Sequence, residues 1–337
     1  MPYRIIILFQ IMCLMGCRGK NIPDVSNIKV DLQVQRFEND FFTIDTLHLD
    51  SSMLVLQEKY PYFTQDFIFN ILALPSQPDS VFVIKKNVAA FIASYNGVKY
   101  SSDSILKDLT PIVSEVKEGL QFLKFYFPEY KAPSKLITFI GPINSYANIL
   151  TTDALAVGLQ LYLGKDYSLY QTTAFQEMYP SYISRRFSKD YIAVNCMKTI
   201  ADDMFPDKTA GRPMIEQMVQ AGKKMYLLDQ LLPEMADTLK IGYTQKQLDG
   251  CIENERVIWS FFARNELLFS TDPSITRDYM NEAPNTQVFG NDSPGFIGQF
   301  IGWQIVKKWV SKNNNKTLAE IMNTNPATIF TESKYKP

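Results

Sequence analysis

The stretch from Phe187 to Leu231 constrains this chain most, because it reads as two helices in a row that must each bury an apolar face. In the first, Tyr191, Val194, Met197, Ile200 and Ala201 recur at three-and-four spacing, and in the second Ile215, Met218, Val219, Gly222, Met225 and Tyr226 repeat it. Ser188 is the expected N-cap of the first helix and Pro206 its stop. Two strand-like runs precede the pair, Lys135 to Gly141 (KLITFIG) and Asp153 to Gly164 (DALAVGLQLYLG). Gly141 to Tyr146 forms a loop between them, and Ala147 to Thr152 leads into the second run. Strand, strand, helix, helix in that order reads as two neighbouring strands followed by a helix pair.

The first 17 residues stand apart from the fold. Arg4 precedes an apolar run, Ile5 to Met15, too short to cross a bilayer of about 30 Å. The run ends in Leu14-Met15-Gly16-Cys17, which resembles the lipobox of bacterial lipoproteins. That resemblance implies a signal peptide over residues 1–17, acylation of Cys17 and a lipid anchor in the membrane. Arg18 follows the cysteine where an Asp would retain the protein at the inner membrane, which implies the outer membrane. Arg18-Gly19-Lys20-Asn21 lacks the acidic cluster of surface-exported lipoproteins, so the periplasmic face is expected. Residues 18–27 are polar, carry Pro23 and read as a tether.

Residues 28–332 are then expected to form one domain, since no low-complexity linker or internal repeat divides them. Net charge is −1, which removes any electrostatic argument for nucleic acid as a partner. Alternation from Ile28 to Gln35 predicts a strand with one buried face. Arg36 to Leu74 is a helical region whose aromatic turn, Tyr60-Pro61-Tyr62-Phe63, is expected in the core. Helices are predicted over Ser80–Ser94 and Asp103–Phe127, and a further helix, capped by Thr244 with Gln247, over the segment ending near Asn265. Cys196 and Cys251 are expected unpaired, Cys196 as a small buried residue within the helical pattern.

Ser293 at an N-cap and Pro294 at the first turn predict one more helix start. Gly295, Gly298 and Gly302 then recur at three and four residues beside Trp303. Glycine costs about 1 kcal/mol against Ala inside a helix, so this face should meet another backbone closely or hold a partner. Carboxylates that hydrolytic chemistry would need are Asp202, Asp203, Glu216, Asp229 and Glu234, but Asp202 and Asp203 are adjacent and leave a helix in different directions. They are expected as solvated helix-end charges. No Gly-x-Ser-x-Gly elbow occurs, and His48 is the lone histidine, expected at the surface. No catalytic residue, metal ligand or cofactor site is therefore assigned.

Arg186-Phe187-Ser188-Lys189-Asp190-Tyr191, Ala201 to Pro206 (ADDMFP), Gly222 to Asp229 (GKKMYLLD), Ile241 to Thr244 (IGYT), Ser270 to Pro273 (STDP), Ser293 to Gly295 (SPG) and Gly302 to Val306 (GWQIV) together resemble the gliding-motility lipoprotein GldB family. The resemblance covers nearly the whole mature chain in order. It implies an envelope lipoprotein without catalysis that acts through contacts with proteins of the motility or type 9 secretion machinery, a lipid-anchored hydrolase or peptide-binding protein being the other reading. It also implies a distantly zincin-like α+β fold, a mostly helical single domain with a small mixed sheet. A gluzincin needs two His one turn apart on its first helix, a Glu beside the first as base and a Glu on the next helix. Asp190 to Ile200 (DYIAVNCMKTI) contains no His in any register, and Ala221-Gly222 stands where the peptidases carry Glu-Gly.

Overall fold

The computed structural model describes residues 22–77 and 81–337, so Cys17, the signal segment and Ser80 lie outside the described residues. Four strands build one mixed sheet, β1 (Gln33–Arg36), β2 (Lys135–Phe139), β3 (Asn148–Leu150) and β4 (Ala154–Gly158). Among the helices are α1 (Leu49–Lys59), α2 (Val81–Ile105), α3 (Thr110–Tyr126), α4 (Ile192–Met204), α5 (Met214–Leu231) and the short α6 (Asp237–Ile241). They continue as α7 (Gln245–Glu253), α8 (Glu255–Arg264), α9 (Pro273–Met280), α10 (Ile297–Lys312), α11 (Leu318–Asn323) and α12 (Pro326–Ser333). The result is the expected α+β domain, mostly helical, and its packing runs on past 332 to the buried Tyr335.

Strand order is β1-β2-β4-β3, with β1, β2 and β4 parallel and β3 antiparallel to β4 at the edge. Because side chains alternate along a strand, β2 and β4 divide their residues between two cores. Leu136, Leu155 and Val157 face the main core with α3, α4, α5 and α10, whereas Ile137, Phe139, Ala154 and Ala156 face a smaller one. The smaller core is aromatic, with Phe37, Phe41, Tyr60, Phe63 and Phe67 buried together and Phe37 and Phe67 only 4.8 Å apart between ring centroids. Burial on both faces explains the unbroken apolar run of β4. In the aromatic turn Tyr60 and Phe63 are core residues, while Tyr62 is exposed.

Several predicted boundaries move, each for a local reason. The Ile28–Gln35 strand shortens to Gln33–Arg36, since β2 begins only at Lys135 and Pro133 just upstream has no N–H to give a ladder. Ile28 instead lies against α3, where Gln121 donates to its carbonyl at 2.8 Å. The break expected after Ser94 is absent, and α2 runs on through Asn96-Gly97, because Gly97 faces open space with nothing to interrupt the turn. The chain breaks at 106–109, where Asp108 accepts from the Thr110 N–H at 2.9 Å and Pro111 opens α3. The second apolar run is β4 only to Gly158, then a 3₁₀ turn, Leu159–Leu161, and it lies inside the sheet. The rim of the sheet is the short β3 in the segment read as a lead-in.

The helix starts also differ. Ser188 opens a 3₁₀ turn, Lys189–Tyr191, without a side-chain cap bond, and α4 follows from Ile192. Ser293 and Pro294 do not start α10: Ser293 Oγ is held by the Thr286 backbone, donating to its carbonyl and accepting from its N–H, both at 3.0 Å. The helix begins at Ile297 behind Phe296, which is left-handed at φ 53°. Thr244 and Gln247 do form the capping box, but that helix divides at Asn254 into α7 and α8. Cys196 and Cys251 are both buried and free.

Candidate functional site

Helices α5 and α10 cross at two glycines. A Cβ on Gly302 would lie 1.7 Å from the Met218 carbonyl oxygen, and one on Gly222 would lie 2.1 Å from the Gly302 carbonyl carbon. Neither position has room for a side chain, so the two backbones pack against one another. Gly298 faces the Met280 sulfur and Met218 on the same helix side, whereas Gly295 precedes the helix and packs on the backbone of Ala283.

At the crossing itself, next to Gly302, Trp303 is 1% exposed and donates from Nε1 to Asp229 Oδ2 at 2.7 Å. Lys240 is fully buried and reaches Asp229 Oδ1 at 2.7 Å and Asp237 at 2.8 Å. Burial works against the charge on Lys240, but the two carboxylates outweigh it and raise its pKa above the ordinary lysine value. Lys307 sits 3.4 Å over the Trp303 ring and 3.7 Å from Asp229. Asp229 therefore has both oxygens engaged and is a tie between α5, α6 and α10 rather than a free base. Sequence reasoning singled out Asp229 and Trp303 separately and missed Lys240. Only the crossing point, fixed by Gly222 and Gly302, brings the three together.

The other singled-out carboxylates do not converge. Asp202 pairs with Lys224, Asp203 accepts from the Tyr130 hydroxyl at 2.9 Å, Glu216 holds Arg212 at 2.8 Å, and Glu234 is exposed. His48 is at the surface beside Asp45, 2.8 Å away. Among the described residues no group of three or more His, Cys, Asp or Glu is placed to hold a metal ion.

Helix α4 lies against β3, the strand at the rim of the sheet. Asn195 and Thr199 stand one turn apart there, the spacing of two zinc-binding histidines. Asn195 Nδ2 donates to the Tyr162 hydroxyl at 2.9 Å, Tyr162 donates to Asn148 Oδ1 on β3, and Asn148 Nδ2 meets Cys196 Sγ at 3.4 Å. Thr199 Oγ1 turns back onto the Asn195 carbonyl at 2.9 Å. Burial raises the Tyr162 pKa and pushes the Cys196 thiol up to about 12, which disfavours the thiolate a nucleophile would need. These four side chains stitch α4 to the rim.

The rim itself is open on one side. Gly158 N donates to the Ala147 carbonyl at 2.7 Å and Thr151 N to the Ala154 carbonyl at 2.8 Å. Antiparallel ladders alternate, so Ala147, Ile149 and Thr151 point their backbone groups at β4 while Asn148 and Leu150 point theirs outward. Those outward N–H and C=O groups have no hydrogen-bond partner among the described residues. Buried Gln160 fixes the loop before the strand, accepting from Gly141 N at 3.0 Å and donating to Ser145 Oγ and the Tyr146 carbonyl at 3.3 Å.

A family model described as Gliding motility protein GldB matches residues 18–337. The chain belongs to the GldB family. Neither the curated proteins nor the solved structures searched give a match. The matched span begins beside Cys17 and takes in the helix crossing, the Asp229–Trp303 tie and the α4–rim network of this GldB-family chain. The family is one of lipoproteins related to gliding motility, and among the described residues no helix is long and apolar enough to cross a membrane.

Proposed function

We propose that this GldB-family chain is a noncatalytic lipoprotein held by Cys17 in the outer membrane, facing the periplasm, where it acts through contacts with proteins of the motility or type 9 secretion apparatus. The observation that carries this reading is the α4–rim site. On a zincin-like reading of the fold, Asn195 and Thr199 take the histidine spacing, and both are committed to neutral hydrogen bonds. Such groups bind zinc poorly and supply no base.

The unpaired edge of β3 favours one kind of contact. An extended partner segment can add to a free strand edge through backbone hydrogen bonds, which is also how a periplasmic peptide-binding protein would work. A photo-crosslinker at exposed Tyr146, which flanks the rim, tests this in cells. Crosslinks to motility or secretion proteins are expected, and Leu150→Pro should abolish them, since it removes an outward N–H that the β4 ladder does not use. Crosslinks unchanged in Leu150→Pro, or zinc-dependent peptidase activity of the purified protein, would refute the proposal.

A further inference from the structure

Helix α5 carries a polar stripe where its neighbours are apolar. Glu216, Gln220 and Lys223 fall at i, i+4 and i+7, share one face, and are only 9%, 8% and 4% exposed. A buried polar group without a partner is costly, so each should be satisfied. Glu216 Oε2 accepts from Arg212 Nε at 3.1 Å and Nη2 at 2.8 Å, and Lys223 donates to the Thr324 carbonyl at 2.9 Å. Gln220 has no hydrogen-bond partner among the described residues, and its amide is not sealed from solvent but opens onto a cavity of about 320 Å³ that it lines. The cavity lies between the α4–α5 connection and the turn from α11 to α12.

We infer that this cavity binds a neutral, hydroxyl-rich ligand of the saccharide class. Glu216 is neutralised by Arg212, and the remaining charged group of the lining, Lys208, is exposed to solvent, so no unpaired charge is buried in the cavity for a ligand to neutralise. Asn323 has its Nδ2 committed to the Ala319 carbonyl and offers its Oδ1 as an acceptor. Asn325 has its Oδ1 committed to the Ala327 N–H and offers its Nδ2 as a donor. Gln220 offers both. Hydroxyls donate and accept together, whereas a carboxylate only accepts and an ammonium only donates. Met204, Phe205, Pro206 and Met322 form an apolar wall suited to the C–H face of a sugar ring. The volume is at the small end of ligand pockets, room for one or two rings.

Saturation-transfer NMR on the full-length protein in a sugar-free detergent tests this, with glucose, N-acetylglucosamine and maltose as probes and acetate and methylammonium as charged controls. At least one sugar should show transfer and neither charged probe should. Gln220→Met keeps the side-chain length without the amide, so it should weaken sugar binding by about tenfold or more while the unfolding midpoint stays or rises. Asn323→Ala, at an exposed position, should weaken it too and guards against a misfolded Gln220 variant. No transfer to any sugar, transfer to the charged probes alone, or equal sugar binding by both variants and wild type would overturn the inference.

Discussion

Replacing Gly302 by Ala tests the central packing claim with a single methyl group. Its Cβ would sit 1.7 Å from the Met218 carbonyl oxygen and 2.4 Å from the carbonyl carbon, against 3.4 Å for ordinary contact, so α5 and α10 must part locally by 3.4 − 1.7, about 1.7 Å. The obstacle is backbone and has no rotamer to adopt. Parting the helices loosens the contacts of Met218, Ile301 and Trp303, all almost fully buried. Overpacking of this kind costs about 1–3 kcal/mol or somewhat more. Helix propensity returns about 1 kcal/mol when Ala replaces Gly. A rigid backbone overlap puts the cost at the upper end, so a net loss of about 2 kcal/mol is expected, and Gly302→Leu should fare worse.

Gly97→Ala and Gly250→Ala supply the control, because both glycines lie in helices with nothing within 4 Å of the added methyl. They should gain about 0.5–1 kcal/mol from propensity and the unfolded state alone. Urea unfolding of the full-length protein, followed by circular dichroism, reads all three. The reasoning fails if Gly302→Ala unfolds at the wild-type midpoint or moves with the two controls.

Cys17→Ser should abolish lipid attachment and move the protein out of the detergent phase on partitioning, while its unfolding midpoint stays unchanged. Asp229→Ala should cost about 3–5 kcal/mol, because it leaves Lys240 buried with one carboxylate and strips the acceptor from Trp303; a loss below about 1 kcal/mol in denaturant titration would contradict the tie. Burial lowers the Lys223 pKa to about 8 from the ordinary 10.5, so between those pH values the unfolded chain holds a proton the folded chain has released and stability rises with pH. Wild type should gain about 1–2 kcal/mol over Lys223→Met across that window, and parallel stability curves would refute it. Purified protein dialysed without chelator should hold well under one zinc per chain by elemental analysis.

The helix pair, the apolar run that holds β4 and the capping box at Thr244 were legible because each rests on local spacing. Tyr191 to Ala201 and Ile215 to Tyr226 place their apolar faces where the periodicity says. Ser293-Pro294 misled because the same chemistry suits a turn, and Ser293 finds the Thr286 backbone before it can cap a helix. The rim strand was hidden by its length: three residues, Asn148 to Leu150, carry too short an alternation to read, and their edge position is set by pairing with β4 rather than by composition.

The polar residues of α5 were hidden for a different reason. Glu216 and Asp229 look like solvated charges if α5 is amphipathic, and that assumption fails once a second helix backbone lies against Gly222. Contact that close, with α4 on another side and α11 and α12 beyond, leaves α5 almost no water-facing surface. Its polar side chains are then forced to find partners inside, and the partners are remote: Lys223 reaches Thr324 and Asp229 reaches Trp303. No spacing within α5 announces either pairing. The glycines do, because facing glycines on two apolar helices fix both where the helices touch and which neighbouring residues the touch buries. Gln220 is the one member of the stripe to which the fold gives no partner, and it opens onto a cavity. Its amide, open to the cavity rather than sealed in the core, keeps a donor and an acceptor available to what enters.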